Sequence, residues 1–315
     1  MKTDQALQKM TDVIRRKHLA LSTERSYRAW LRRYCDYLLK VPGHLTSEQK
    51  LERFLTALAT DGVAASTQNQ AFNAMVFFYQ KVMAVPLLNI QALRARRPEQ
   101  LRHAPGREDT LRLLKTVAAD AGPAISLVVR LLYGCGLRVA EPLSLRVKDV
   151  DLEAGQLLIR AGKGGKDRVV AIPGPVAGEL RVQSEAARVV WQQDQVKQVP
   201  VALPQLLASK YPQAQFDWNW AWVFPAAQPC LDPRTGQRMR WRMHEAKVQR
   251  AIRAAGRKLG LFILPHELRH AYATHCLNRG ANPKAIQEAM GHKSLETTMA
   301  YLHAEALGVR SPLEG

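Results

Sequence analysis

Six side chains between positions 138 and 301 have the types and neighbours that catalysis requires. They are Arg138 in GCGLRVAE, Lys163 in AGKGGKDR, His266 and Arg269 in PHELRH, His292 in GHKS, and Tyr301 ending the same run. Singly, each has a plain structural explanation. Arg138 can pair with Glu141 three residues on, and Lys163 can be a solvated turn lysine. His292, after Gly291, can cap a helix, and Tyr301 can be core. Together they supply every role of a metal-free phosphodiester transfer. Charge building on the non-bridging oxygens needs fixed cations, and a guanidinium offers phosphate two parallel donors. The reaction also needs a nucleophile, a proton acceptor and a proton donor to the leaving oxygen. A phenol with its ordinary pKa near 10 attacks at neutral pH only with cationic surroundings or a base.

Two other motifs compete for these residues. GKGGKD invites a phosphate-loop reading, but it lacks the spacing G-x-x-x-x-G-K-[ST] and lies between strand-like segments, so it is rejected. His266-Glu267-Leu268-Arg269-His270 matches H-E-x-x-H, which places two histidines on one helical face with a glutamate base, as in a zinc peptidase. Against zinc, Arg269 would stand within one turn of the dication. Nor does a peptidase need so basic a chain.

The elements that must position these groups fall into two parts. Over residues 1–93, apolar periodicity reads as helical: Ser22-Thr23 caps a helix through Tyr27, Trp30, Leu31, Tyr34 and Leu38. Thr46-Ser47 opens a second helix and Thr67 a third. Lys17, Arg25, Arg28, Arg32 and Arg33 are available to phosphates, which suits a small DNA-binding domain; a helical dimerisation module is the alternative. Residues 94–106 are basic and proline-punctuated and read as a linker. From 107 to 315 helices resume around three strand-like stretches, 145–152, 156–161 and 168–172, expected to pair antiparallel. The fold class expected is mainly α with a small antiparallel β-sheet (α+β), the second part being the catalytic domain.

Charge sets the partner. Forty-six Lys and Arg against 27 Asp and Glu give a formal net charge of +19, and polyanions, above all DNA, complement it. No stretch is apolar and long enough to span a membrane, and the N-terminal residues lack a signal-peptide pattern. A cytoplasmic, nucleoid-associated protein is expected. Cys35, Cys135, Cys230 and Cys276 form no C-x-x-C pair and read as reduced, mostly buried thiols. Neither a metal nor a cofactor is expected.

The order Arg138, Lys163, His266-x-x-Arg269, Gly291-His292, Tyr301 resembles the signature of the tyrosine recombinase (phage integrase) family, over nearly the whole chain. The resemblance implies a helical core-binding (SAM-like) domain, a linker and a catalytic domain. It assigns Arg138, Arg269 and His292 to the scissile phosphate, and His266 to a base or phosphate ligand. Lys163 would protonate the departing 5′ oxygen, and Tyr301 would form a 3′-phosphotyrosyl link. Glu141 would support Arg138. Four subunits on DNA, a homo-tetramer, are also implied.

A segment at about 200–240 reads VALPQLLASKYPQAQFDWNWAWVFP and then LDPRTGQRMRWRM, and it resembles the insertion of integron integrases, as does the ending GVRSPL. Those enzymes act on folded single-stranded cassette sites with protruding bases, for which aromatic rings are stacking platforms. Trp220 is the expected stacking residue, with Trp241 and Arg242 standing where integron integrases carry two adjacent histidines. The bland reading is that Trp218, Trp220 and Trp222 alternate on one buried strand face. Within the family, a phage integrase or a chromosome-dimer resolvase is the alternative, and an inactive DNA-binding relic is a further one.

Overall fold

The computed structural model describes residues 2–88, 90, 104–160 and 167–291, except for the side chains of 205 and 206. Lys163, His292, Tyr301 and most of the expected linker lie outside the described residues. The chain divides into two compact units, Met1–Gln100 and Leu101–Gly315.

The first unit is helical: α1 (Thr3–Arg16), α2 (Leu21–Leu38), α3 (Ser47–Thr60) and α4 (Ala65–Phe77), which runs into a π-turn over Phe78–Val82. The sequence reading passed over α1, although Ala6, Leu7, Met10, Val13 and Ile14 recur at helical spacing and are buried. Ala6, Leu7, Met10 and Ile14 pack with Leu31, Tyr34, Leu51, Phe54, Leu58 and Met75 in one core. Tyr34 shares a buried hydroxyl contact with Tyr79 (2.8 Å).

Thr46 caps α3 as expected, its hydroxyl accepting from the Gln49 N–H while the Gln49 side chain accepts from the Thr46 N–H. Two other starts differ. Helix α2 is capped at Ala20, before Ser22-Thr23, and α4 at Ala64, before Thr67. A tertiary contact accompanies the extra residues of α2: buried Glu24, in its first turn, takes both a terminal and the ε nitrogen of Arg15 from the end of α1. Lys17, Arg25, Arg32 and Arg33 are exposed, whereas Arg28 donates to the Thr11 hydroxyl.

The second unit begins with α5 (Arg107–Asp120), α6 (Pro123–Gly134) and the single turn α7 (Ala140–Leu143). A three-stranded antiparallel sheet follows, β1 (Val150–Asp151), β2 (Gln156–Ile159) and β3 (Arg168–Ala171). Its register places Leu157 opposite both Val150 and Val170. Next come α8 (Gly174–Val196), α9 (Gln205–Lys210), a short hairpin of β4 (Cys230–Leu231) and β5 (Arg238–Met239), then α10 (Glu245–Lys258), α11 (Pro265–Leu277) and α12 (Pro283–Met290). One core joins Leu127, Val128 and Leu131 of α6 to Leu157, Leu180, Phe224, Val248, Ile252 and Leu268.

The strand expected over 145–152 is therefore mostly not β1. Residues Val147–Asp149 form a 3-10 turn, with the Asp149 carboxylate accepting from the Arg146 N–H. The alternation upstream of it serves a different neighbour: Val147 N–H donates to Ala221 O and Val223 N–H to Leu145 O. Residues 221–226 in turn bond 241–243, and Arg240 bonds Pro200 and Ala202. The segment at about 200–240 is thus tied to the rest of the second unit by isolated backbone bridges.

The tryptophans do not share a strand face. Trp218–Trp220 is a 3-10 turn capped by the Asp217 side chain, and only Trp222 of the three is buried. Of the four cysteines, only Cys135 is buried; Cys230 is exposed and the others are intermediate, so the expectation of mostly buried thiols is corrected. Burial pushes the Cys135 thiol up to about 12. Among the described residues, no helix is long and apolar enough to cross a membrane.

Candidate active site

Arg138 follows a turn that only glycine permits. Gly136 has φ +61°, and a Cβ there would collide with the Tyr272 ring of α11. The chain then enters α7, where Pro142 sits early enough to need no helical N–H partner. Glu141 closes this turn back on Arg138: Oε2 accepts from the Arg138 backbone N–H (2.8 Å) and Oε1 from Nη1 (2.9 Å). The Glu141 side chain is only 5% exposed and that of Arg138 is 36% exposed.

A second arginine holds the same carboxylate. Arg168, at the start of β3, places Nη1 on Oε1 (3.0 Å) and Nη2 on Oε2 (2.7 Å), a bidentate fork. Burial pushes the Glu141 carboxyl up, but the hydrogen bonds and charge of Arg168, with the bonds from Arg138, outweigh it and leave the pKa below the ordinary value. Arg269 Nη1 lies 4.0 Å from the same Oε2.

All three guanidinium groups also meet the end of α12. This helix starts on an Asn282 cap with Pro283 following, and ends in left-handed Gly291 (φ +63°), the favoured termination. Arg168 Nε donates to Ala289 O (2.7 Å), Arg269 Nη2 to Met290 O (2.5 Å), and Arg138 Nη2 to Gly291 O (3.3 Å). Arg269 also donates to Gly136 O. Three successive carbonyls, immediately before His292 in the chain, therefore each receive a different arginine. Arg138 is the most open of the three; Arg269 is shut in, its side chain 1% exposed.

Both residues of PHELRH lie in the first turns of α11. His266 is exposed and Arg269 buried, and the His266 ring packs edge-on against that of buried His270 (centroids 4.3 Å apart). Glu267, the base of the zinc reading, instead caps its own helix, Oε2 accepting from the Leu264 N–H (2.6 Å).

The expected base-binding residues are placed less uniformly. Trp220 is half-buried with the Lys148 ammonium 2.8 Å above its ring centroid. Burial and the nearby Arg160 charge lower the Lys148 pKa. Trp241 is half-buried with its indole N–H enclosed, and Arg242 is paired to Glu245 (3.1 Å) at the start of α10.

Sequence reasoning missed three structural arginines. Arg168 carried a signal: it falls on the same strand face as buried Val170, an odd place for a solvated arginine. Arg146 stacks 3.0 Å over Trp222 and donates to Trp220 O and Ala202 O, both at 2.7 Å. Arg240 forms a buried bidentate pair with Asp194 of α8, both bonds 2.6 Å. Nothing local in the sequence marks these last two, because Trp220 and Ala202, which Arg146 bonds, and Asp194, which Arg240 pairs with, lie 46 to 74 residues from them.

Comparison with known proteins places this chain in a family. The Phage integrase family model matches residues 107–307, and the Phage integrase, N-terminal SAM-like domain model matches residues 6–88. An integrase/recombinase of Escherichia coli is 36% identical over 325 residues, covering 100% of this chain and 94% of its own length. The tyrosine recombinase XerD of Agrobacterium fabrum is 32% identical, with 90% of this chain and 85% of that protein covered. A lambda integrase dimer bound to a COC′ core site shares the fold, with a TM-score of 0.64, 15% identity and 98% of both chains covered. XerH bound to its difH substrate gives 0.61 at 19% identity, covering 96% of this chain and 82% of that one. The chain belongs to the phage integrase family, the tyrosine recombinases, which are enzymes of DNA strand transfer.

Proposed function

We propose that this tyrosine recombinase is a site-specific recombinase of integron-integrase type, which integrates and excises gene cassettes through a 3′-phosphotyrosyl intermediate. One observation carries the catalytic part. Arg138 and Arg269, far apart in sequence, are gathered by Glu141 and the carbonyls of residues 290–291, directly before His292.

In this reading Arg138 and Arg269 hold the scissile phosphate, Arg269 exchanging its carbonyl contacts for phosphate oxygens as DNA seats. His292 adds a donor, and His266, exposed on α11, serves as base or phosphate ligand. The Tyr301 phenol attacks phosphorus and forms the phosphotyrosyl ester while Lys163 gives a proton to the departing 5′ oxygen. The ester keeps the energy of the broken bond, so a second 5′-hydroxyl reverses the step without ATP or a metal. The enzyme works as a homo-tetramer on cytoplasmic, nucleoid DNA, four subunits serving two sites.

The integron assignment rests on the 200–240 segment, where Trp220, Trp241 and Arg242 would meet unpaired bases. A second reading, recombination of ordinary duplex sites, is favoured by the XerD relative.

The first test incubates the protein with a nicked cassette-site hairpin and looks for a covalent protein–DNA adduct. Tyr301→Phe should abolish it; adduct that persists sinks the reading. The second compares Trp220→Ala on the folded hairpin and on a fully paired duplex. A loss of about tenfold, from one lost base stack, confined to the hairpin is expected. Equal rates on both substrates would point to the duplex reading.

A further inference from the structure

We propose that Arg168 is a positioning residue of the phosphate site: it takes the main share of the Glu141 carboxylate, so that this one negative charge is spread over three guanidinium groups instead of the two that meet DNA. The inference rests on the reaction proposed above and concerns a residue that this reaction leaves without a task.

The geometry separates Arg168 from its two neighbours. It is the arginine that grips Glu141 with a full side-chain fork, 3.0 and 2.7 Å, while Arg138 reaches that carboxylate with one guanidinium nitrogen and its backbone N–H. Arg269 makes a longer ion pair with it, at 4.0 Å. The Arg168 side chain is 11% exposed, against 36% for Arg138, so Arg138 is the better placed to meet a ligand. The remaining nitrogen of Arg168 is committed to Ala289 O, and the Arg168 guanidinium lies against Gly291, where a Cβ would come within 3.2 to 3.3 Å of it.

Charge gives the arrangement its purpose. One carboxylate among two guanidinium groups would cancel half of the positive charge offered to the phosphate. With Arg168 paired to Glu141, that carboxylate still orients Arg138, and the three guanidinium groups and the one carboxylate together sum to two positive charges beside the developing phosphorane. Removing Arg168 would leave a buried carboxylate short of a partner, and the nearest cation it could draw in is Arg269. The same loss frees the Ala289 carbonyl at the turn preceding His292.

The test uses the full chain and two nicked substrates. One has the natural phosphate at the cut site; the other has a methylphosphonate, in which a methyl group replaces a non-bridging oxygen and removes its charge. Single-turnover adduct formation is measured at saturating protein, with DNA affinity measured separately. Arg168→Gln is expected to slow cleavage of the phosphate by about 100-fold, the effect of one lost electrostatic contact, with Kd little changed. On the methylphosphonate, where fewer cations are needed, the loss should shrink to under about tenfold. Glu141→Gln added to Arg168→Gln should recover part of the rate, because the carboxylate that Arg168 restrains is then neutral. Equal losses on both substrates, with no recovery in the double variant, would overturn the proposal and leave Arg168 a merely structural residue.

If Arg168→Gln does not fold, Arg168→Lys decides the matter. It keeps the charge, and it should show a loss intermediate between wild type and Tyr301→Phe that again shrinks on the methylphosphonate. Loss as complete as that of Tyr301→Phe on both substrates overturns the idea. If the wild type itself forms no adduct, the proposed reaction fails and this inference with it. A wild type that cleaves while the variants show no difference between substrates defeats the inference alone.

Discussion

Glu141 gathers the site because an ionised carboxylate has room for several donors, and four N–H groups of Arg138 and Arg168 use it. That gives a pH signature. Its folded pKa lies below the ordinary value near 4.3. The stability it contributes is therefore complete above about pH 4.3 and is lost as pH falls through the lower folded value. Glu141→Gln should remove this acid-side loss: denaturant unfolding between about pH 5 and 3 should give a shallower fall in stability than wild type. Parallel pH profiles for the two proteins would contradict the assignment. The i, i+3 contact of Arg138 with Glu141 was legible in the sequence because both partners lie on one turn. The fork from Arg168 was not, since its partner is 27 residues away.

At the scale of elements, the irregular 200–240 segment is held by buried arginines as well as by backbone bonds. Arg240 and Asp194 join the 200–240 segment to α8 with both side chains under 10% exposed. Breaking such a pair leaves a buried charge uncompensated, so Arg240→Ala should cost roughly 3–5 kcal/mol of stability. Chemical denaturation reads this directly, and the double variant Asp194→Leu with Arg240→Met should regain much of it. A cost below about 1 kcal/mol, the range of exposed pairs, would mean that the pair is solvated. The stretch over 145–152 shows why element boundaries escaped local reading. Its alternation is real, but the ladder partners of Leu145 and Val147 are residues 221–223, not β2. Periodicity reports that a face is buried; it does not report against what.

For the whole molecule, a net charge of +19 predicts binding dominated by phosphate contacts. Affinity for any duplex should fall with salt, by at least about tenfold between 50 and 200 mM, on a straight log–log line. An affinity that ignores salt would contradict a phosphate-dominated interface.

The sequence by itself determined the family, the mainly helical class and the sheet that follows α7, because these rest on residue type and local period. It also marked Arg138, Glu141, His266 and Arg269 as candidates. Tertiary structure alone decided that Arg138, Arg168 and Arg269 share the end of one helix, that Arg269 is buried, and that Trp218 and Trp220 lie in a turn while Trp222 alone of the three is buried. The physical reason is range. Caps, turns and periods act within a few residues, whereas a buried charge takes whatever partner the fold brings to it.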